Sequence, residues 1–130
     1  MYINAIAFIH TLYAICLTNM IERRTVCERI KVKPEKPHPN SVVGLAIETI
    51  GQGVISGLRH PITYNSNGWY IWCGEYSNDK DFFSPVCIEH INDYLESRIL
   101  EYLDLPPGYR FLIDEHEYED IWFDEKLLKI

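Results

Sequence analysis

One run in the second half of the chain, Trp69-Tyr70-Ile71-Trp72-Cys73, is apolar at every position. A strand sends successive side chains to opposite faces. Trp69, Ile71 and Cys73 then share one face, and Tyr70 and Trp72 share the other. Neither face suits water. The run reads as a central strand, covered on both sides, or covered on one and offering aromatics on the other. The turn signal Asn65-Ser66-Asn67-Gly68 leads into it. A chain of 130 residues with 47% hydrophobic content can bury one core of this kind, which argues a single domain.

The remaining elements follow from spacing. Val42 to Ile47 reads as a strand ending near Gly51-Gln52-Gly53, and Val54 to Leu58 as a shorter strand pairing with it. Ser84-Pro85 has the form of an N-cap followed by a first helical residue. Beyond it Ile88, Ile91, Leu95, Ile99 and Tyr102 recur at steps of three and four. That stripe predicts one long helix over about 85–103, stopped by Pro106-Pro107-Gly108. Tyr109–Ile113 and Tyr118–Phe123 predict an antiparallel hairpin closed by residues 114–117. The expected fold is α+β, an antiparallel or mixed sheet packed against that helix. Trp69 and Ile71 should be buried on Ile88, Ile91 and Leu95.

Residues 33–40, KPEKPHPN, hold three prolines and read as a linker. They separate an expected N-terminal extension, residues 1–40, from a domain over residues 41–130. Residues 21–32 suit a short helix or a strand. Residues 1–20 contain no Asp, Glu, Lys or Arg. Three readings stay open for them: a packed or peripheral helix, an upstream extension before Met20, or a membrane or export segment. Apart from that segment, nothing suggests a membrane.

Charge is unevenly spread. Residues 1–60 carry 7 Lys and Arg against 4 Asp and Glu; residues 61–130 carry 5 against 15. The second half is therefore at −10 and the whole chain at −7. Such a surface repels phosphates, which argues against nucleic acid, and it steers in a basic partner. Cys16, Cys27, Cys73 and Cys87 show no CxxC pair and read as reduced thiols of a cytoplasmic protein. No P-loop, GxGxxG, HExxH or GxSxG occurs. Cys87 and His90 sit three apart, with Cys73 and His116 elsewhere, but one such pair falls short of a zinc ligand set. The expectation is a non-enzymatic protein with no metal and no cofactor.

Three segments carry a family likeness: GWYIWCGEYSNDKDFF, IEHINDYLESRILEYLDLPPGYRFLID and YEDIWFDEKLLKI. Gly68-Trp69 enters the aromatic strand, Gly74-Glu75 leaves it, and the C-terminus is acidic and aromatic. Over residues 42–130 the chain resembles a family of small bacterial proteins assigned as immunity proteins of polymorphic toxin systems. The resemblance implies a protein that binds a cognate toxin and blocks it. Acidic groups and aromatic anchors then nominate a partner surface: Glu75, Tyr76, Asp79 and Asp81 on one loop, with Glu117, Tyr118, Glu119, Asp120, Trp122 and Asp124 along the last strand. The alternative is an intracellular regulatory or scaffold domain that binds a peptide or protein subunit.

Overall fold

A computed structural model describes residues 25–129. The readings for residues 1–20 lie outside them. The core of the fold is one six-stranded mixed sheet. Its strands are β1 (Val42–Leu45), β2 (Ile55–Arg59), β3 (Ser66–Cys73), β4 (Ser84–Cys87), β5 (Tyr109–Ile113) and β6 (Glu119–Phe123), in the order β4-β1-β3-β2-β5-β6. The aromatic run lies in β3, near the middle. β1 runs parallel to β3, and every other neighbouring pair is antiparallel. β2 pairs with β3 and β5, not with β1 as its sequence neighbour.

The long helix over 85–103 is not there. Ser84–Cys87 is an edge strand on β1, and two short 3-10 turns follow, Ile88–Asp93 and Ser97–Glu101. Among the described residues the one α-helix is α1, Val26–Ile30. The domain is therefore a sheet covered by turns, and not a sheet with a helix laid across it. The physical reason lies in signals with two readings. Proline at an outward position of an edge strand loses no ladder bond, so Ser84-Pro85 serves a strand as well as a helix start. A 3-10 turn stacks residues i and i+3, so Ile88 and Ile91 share a side without any α-helix. Asn92, Asp93 and Ser97 are residue types that favour turns over helix interiors.

The apolar stripe still does its packing. Ile91, Leu95, Ile99, Tyr102, Leu103 and Leu105 are buried in one cluster with Trp69 and Ile71. The Trp69 indole N–H donates to the Leu103 carbonyl at 2.9 Å. α1 completes the layer. Thr25 caps it by accepting from the Glu28 amide at 3.2 Å, and Val26 and Cys27 are buried. A five-residue helix is not stable alone, so this packing holds it.

Register divides the sheet into two faces. Cross-strand partners share a face. Val43, Leu45, Trp69, Ile71, Phe111 and Ile113 fill the core face and are fully buried. Gly57 is needed there, because a Cβ would lie 2.3 Å from the Phe111 ring. Gly68 is needed for shape: its φ is +89°, and it forms the bulge where β1 and β3 change register.

Candidate functional site: the second face and the acidic end of the sheet

Opposite the core, one row crosses the sheet as Gly44, Tyr70, Leu58, Arg110 and Trp122. A second row runs Trp72, Ser56, Leu112 and Asp120. This face is aromatic at the β3 side and at the β6 side, with Leu58 and Leu112 half-buried between. After Gly74 the chain folds back over β3. Phe83 meets Tyr70 edge-on with centroids 5.1 Å apart, and Tyr76 meets Trp72 at 5.3 Å. Trp72 is thereby buried, while Tyr76 keeps 56% of its surface.

The predicted loop residues are otherwise open. Glu75, Asp79 and Asp81 are exposed. The loop holds its shape by short side-chain caps: Ser77 Oγ accepts from the Asp79 amide at 3.1 Å, and Asp79 Oδ1 accepts from the Asp81 amide at 3.2 Å. Asp79 and Asp81 border a cleft of about 430 Å³ that Glu48 also lines. A neighbouring cleft of about 280 Å³ is bordered by Glu96, Asp114 and Glu115. Both clefts share the 47–53 segment, at the sheet end where Cys73, Ile55, Ile113 and Glu119 line up. Glu48 and Glu96 join this acidic end from distant parts of the chain, and no sequence signal marks either.

The last-strand residues split into two groups. Glu117, Tyr118 and Asp120 are exposed. Glu119 is engaged inside: Arg29 reaches it at 2.9 Å and the Tyr102 hydroxyl donates to it at 3.0 Å. Burial pushes the Glu119 pKa up, but the bonds from Arg29 and Tyr102 outweigh it and hold the carboxyl below its ordinary range. Asp124 is likewise engaged. It pairs with Arg110 at 3.2 Å and its other oxygen accepts from the Lys126 amide at 3.1 Å. The same Arg110 lies over the Trp122 ring, 5.4 Å from its centroid, and Trp122 stays 37% exposed. Glu117 needs a left-handed backbone, φ +66°, to close the hairpin.

The ten nominated residues thus form no single cluster. Glu75 to Asp81 hang at the β3 end, Glu117 to Asp120 start β6, and Trp122 and Asp124 end it. Tyr76, Asp120 and Trp122 do share the second face, through Trp72 and the two cross-sheet rows.

The two buried cysteines offer little chemistry. Cys27 and Cys73 are buried, and burial pushes both thiols up, away from the reactive thiolate. His90 faces Asp93 on an exposed turn at 3.5 Å. Among the described residues no three His, Cys, Asp or Glu side chains converge on a metal position. No described helix is long and apolar enough to cross a membrane.

A family model described as Imm33-like domain matches residues 22–124. It takes in α1 and the proline-rich segment, upstream of the likeness seen from Val42 onward. No curated protein and no solved structure matches the chain.

Proposed function

This chain belongs to the Imm33-like family, immunity proteins of polymorphic toxin systems, and we propose that it binds and occludes a cognate protein toxin through the second face of its sheet and the acidic groups around it. Immunity proteins of this kind are generally not enzymes, and the partner the family implies is a protein. The observation that carries the reading is the second face itself. It carries Asp120 and aromatic anchors at both sides, Tyr76 and Trp122, while the exposed carboxylates of Glu75, Asp79, Asp81 and Glu117 stand in the loop and turn around it. Aromatics set among charge suit a binding hot spot, and acid suits a partner with a basic surface. Occlusion needs no chemistry from this chain, only tight cover of the toxin's working surface.

The test uses the toxin encoded beside this gene. Co-expression should yield a stable complex. Replacing Asp79, Asp81, Glu117 and Asp120 by Asn or Gln removes four charges and takes the net charge from −7 to −3. Glu119 and Asp124 are left in place because they hold Arg29 and Arg110. Folding should be retained, since exposed charges contribute about 0–1 kcal/mol each. Binding should weaken mainly through slower association. Undiminished affinity in the fourfold variant would reduce the acidic surface to a solubilising role.

A further inference from the structure

The two edges of the sheet are built differently. At the β4 edge the Ile88 amide donates to the Ser41 carbonyl at 2.9 Å, which sets the phase of the β1–β4 ladder. By antiparallel alternation Val86 and Ser84 bond to β1, and Pro85 and Cys87 turn their backbone groups outward. Pro85 has no amide to offer there, so that edge is blunted. At the β6 edge two bonds bracket the ladder: the Asp114 amide to the Tyr118 carbonyl at 3.2 Å, and the Asp124 amide to the Gly108 carbonyl at 2.7 Å. Asp120 and Trp122 then bond to β5, and Glu119, Ile121 and Phe123 direct amide and carbonyl away from it. None of these three amides has a partner among the described residues. No proline or bulge interrupts β6.

We propose that β6 is the docking edge for an extended, basic segment of the toxin, which adds to the sheet as a seventh strand beyond β6. The proposal rests on the toxin-binding reading above and gives it a geometry. Strand addition draws affinity from main-chain bonds and specificity from alternate side chains. Here the alternate side chains are ready on both faces. Phe123 is 51% exposed on the core side and Trp122 37% exposed on the other, with Tyr118, 54% exposed, at the strand entry. The occupant's charge follows from the flanks. Glu117 and Asp120 are exposed with no ion pair among the described residues, so Lys or Arg on the incoming strand gains two counter-charges. A second copy of this chain would instead bring the same acid against itself, which opposes edge-to-edge dimers.

The experiment is hydrogen exchange on this protein alone and in complex with the toxin encoded beside its gene. The amides of Ile121 and Phe123 should exchange more slowly by about tenfold or more in the complex, while Cys87 on the β4 edge is unchanged. A second arm compares Ile121→Pro with Ile121→Val. Proline removes an outward amide and no ladder bond, so it should weaken toxin binding about tenfold or more where valine leaves it near wild type. If Ile121→Pro fails to fold, the exchange data on the wild-type chain still decide. A complex that forms with Ile121 and Phe123 exchanging as freely as before overturns strand addition and leaves the toxin-binding reading standing. Failure to form any complex overturns both. Protection of β6 that grows with the concentration of this protein alone assigns the edge to a second copy and overturns the proposal.

Discussion

Arg59 shows how much a single buried residue holds together. Its side chain is fully buried, yet no carboxylate bonds to it. Its Nε donates to the Asn67 carbonyl at 2.9 Å, and Nη1 donates to the carbonyls of Glu35 and Leu105 at 2.6 and 2.7 Å. Three segments that share no secondary structure are pinned at one point. Burial lowers the guanidinium's pKa, a sign that the charge is held at a cost. Replacing it with Met removes that cost but leaves the carbonyls unsatisfied, at about 1–3 kcal/mol each. The carbonyls outweigh the relief, so Arg59→Met should lose about 3 kcal/mol or more in denaturant unfolding. A loss below about 1 kcal/mol would mean water satisfies them. Glu119 carries a pH signature. Its folded pKa is lowered from 4.5, so its stabilising effect is present above that value and is lost as pH falls through the lower folded value. The melting-temperature gap between wild type and Glu119→Gln should therefore be full at neutral pH and shrink as pH falls below 4.5. A gap that persists in acid would place the effect in packing against Tyr102, not in charge.

At the scale of elements, the segment after β4 decides how the core is closed. A single α-helix would carry Ser97 in its interior, where proline costs about 3 kcal/mol. In the fold described above, Ser97 opens the second 3-10 turn, its amide has no partner among the described residues, and Glu96 before it is extended at φ −61° and ψ 154°. Both conditions suit proline. Ser97→Pro should change unfolding free energy by less than about 1 kcal/mol, and a loss near 3 kcal/mol would restore the continuous helix. The same segment explains why α1 matters. α1 has no long helix to lean on, so it closes the cluster through Val26 and Cys27 and is tied to β6 by Arg29 and Glu119. The hairpin β5–β6 is thus anchored on its core face, while its outer backbone edge keeps amides with no partner among the described residues.

For the whole molecule, charge and topology point the same way. Several acids of the second half of the sequence gather at one end of the sheet and along its β6 margin, joined by Glu48 from the first half. At physiological salt the field of such a region reaches about 8 Å, enough to bias encounter with the basic toxin surface proposed above. Association of the wild-type pair should slow steeply as salt rises, and the fourfold Asp79, Asp81, Glu117 and Asp120 variant should show a flatter slope in the same stopped-flow series. The sheet's asymmetry adds direction, since Pro85 closes one margin and β6 leaves the other able to pair.

Local chemistry was enough to place every strand core except one. Five consecutive apolar side chains in Trp69 to Cys73 pointed to a central strand, covered on both faces or covered on one and offering aromatics on the other. The hairpin over 109–123 was legible because a polar turn separates two apolar runs, and the likeness to immunity proteins rested on those same stretches. The pattern from Ile88 to Tyr102 named which residues are buried but not the backbone that buries them, since α-helix and 3-10 turns both place i and i+3 on one side. Ser84–Cys87 was missed as a strand because pairing with β1 is a long-range choice, and Ser-Pro serves either outcome. For the site, exposure followed from sequence for Glu75, Asp79, Asp81, Glu117 and Asp120, while the inward engagement of Glu119 and Asp124 did not. Their partners Arg29 and Arg110 are chosen by sheet register and by the docking of α1. Alternation along β6 already puts Asp120 and Trp122 on one face, but only long-range structure brings Tyr76 there through Trp72, because strand order is set by which surfaces bury each other and no local spacing records that.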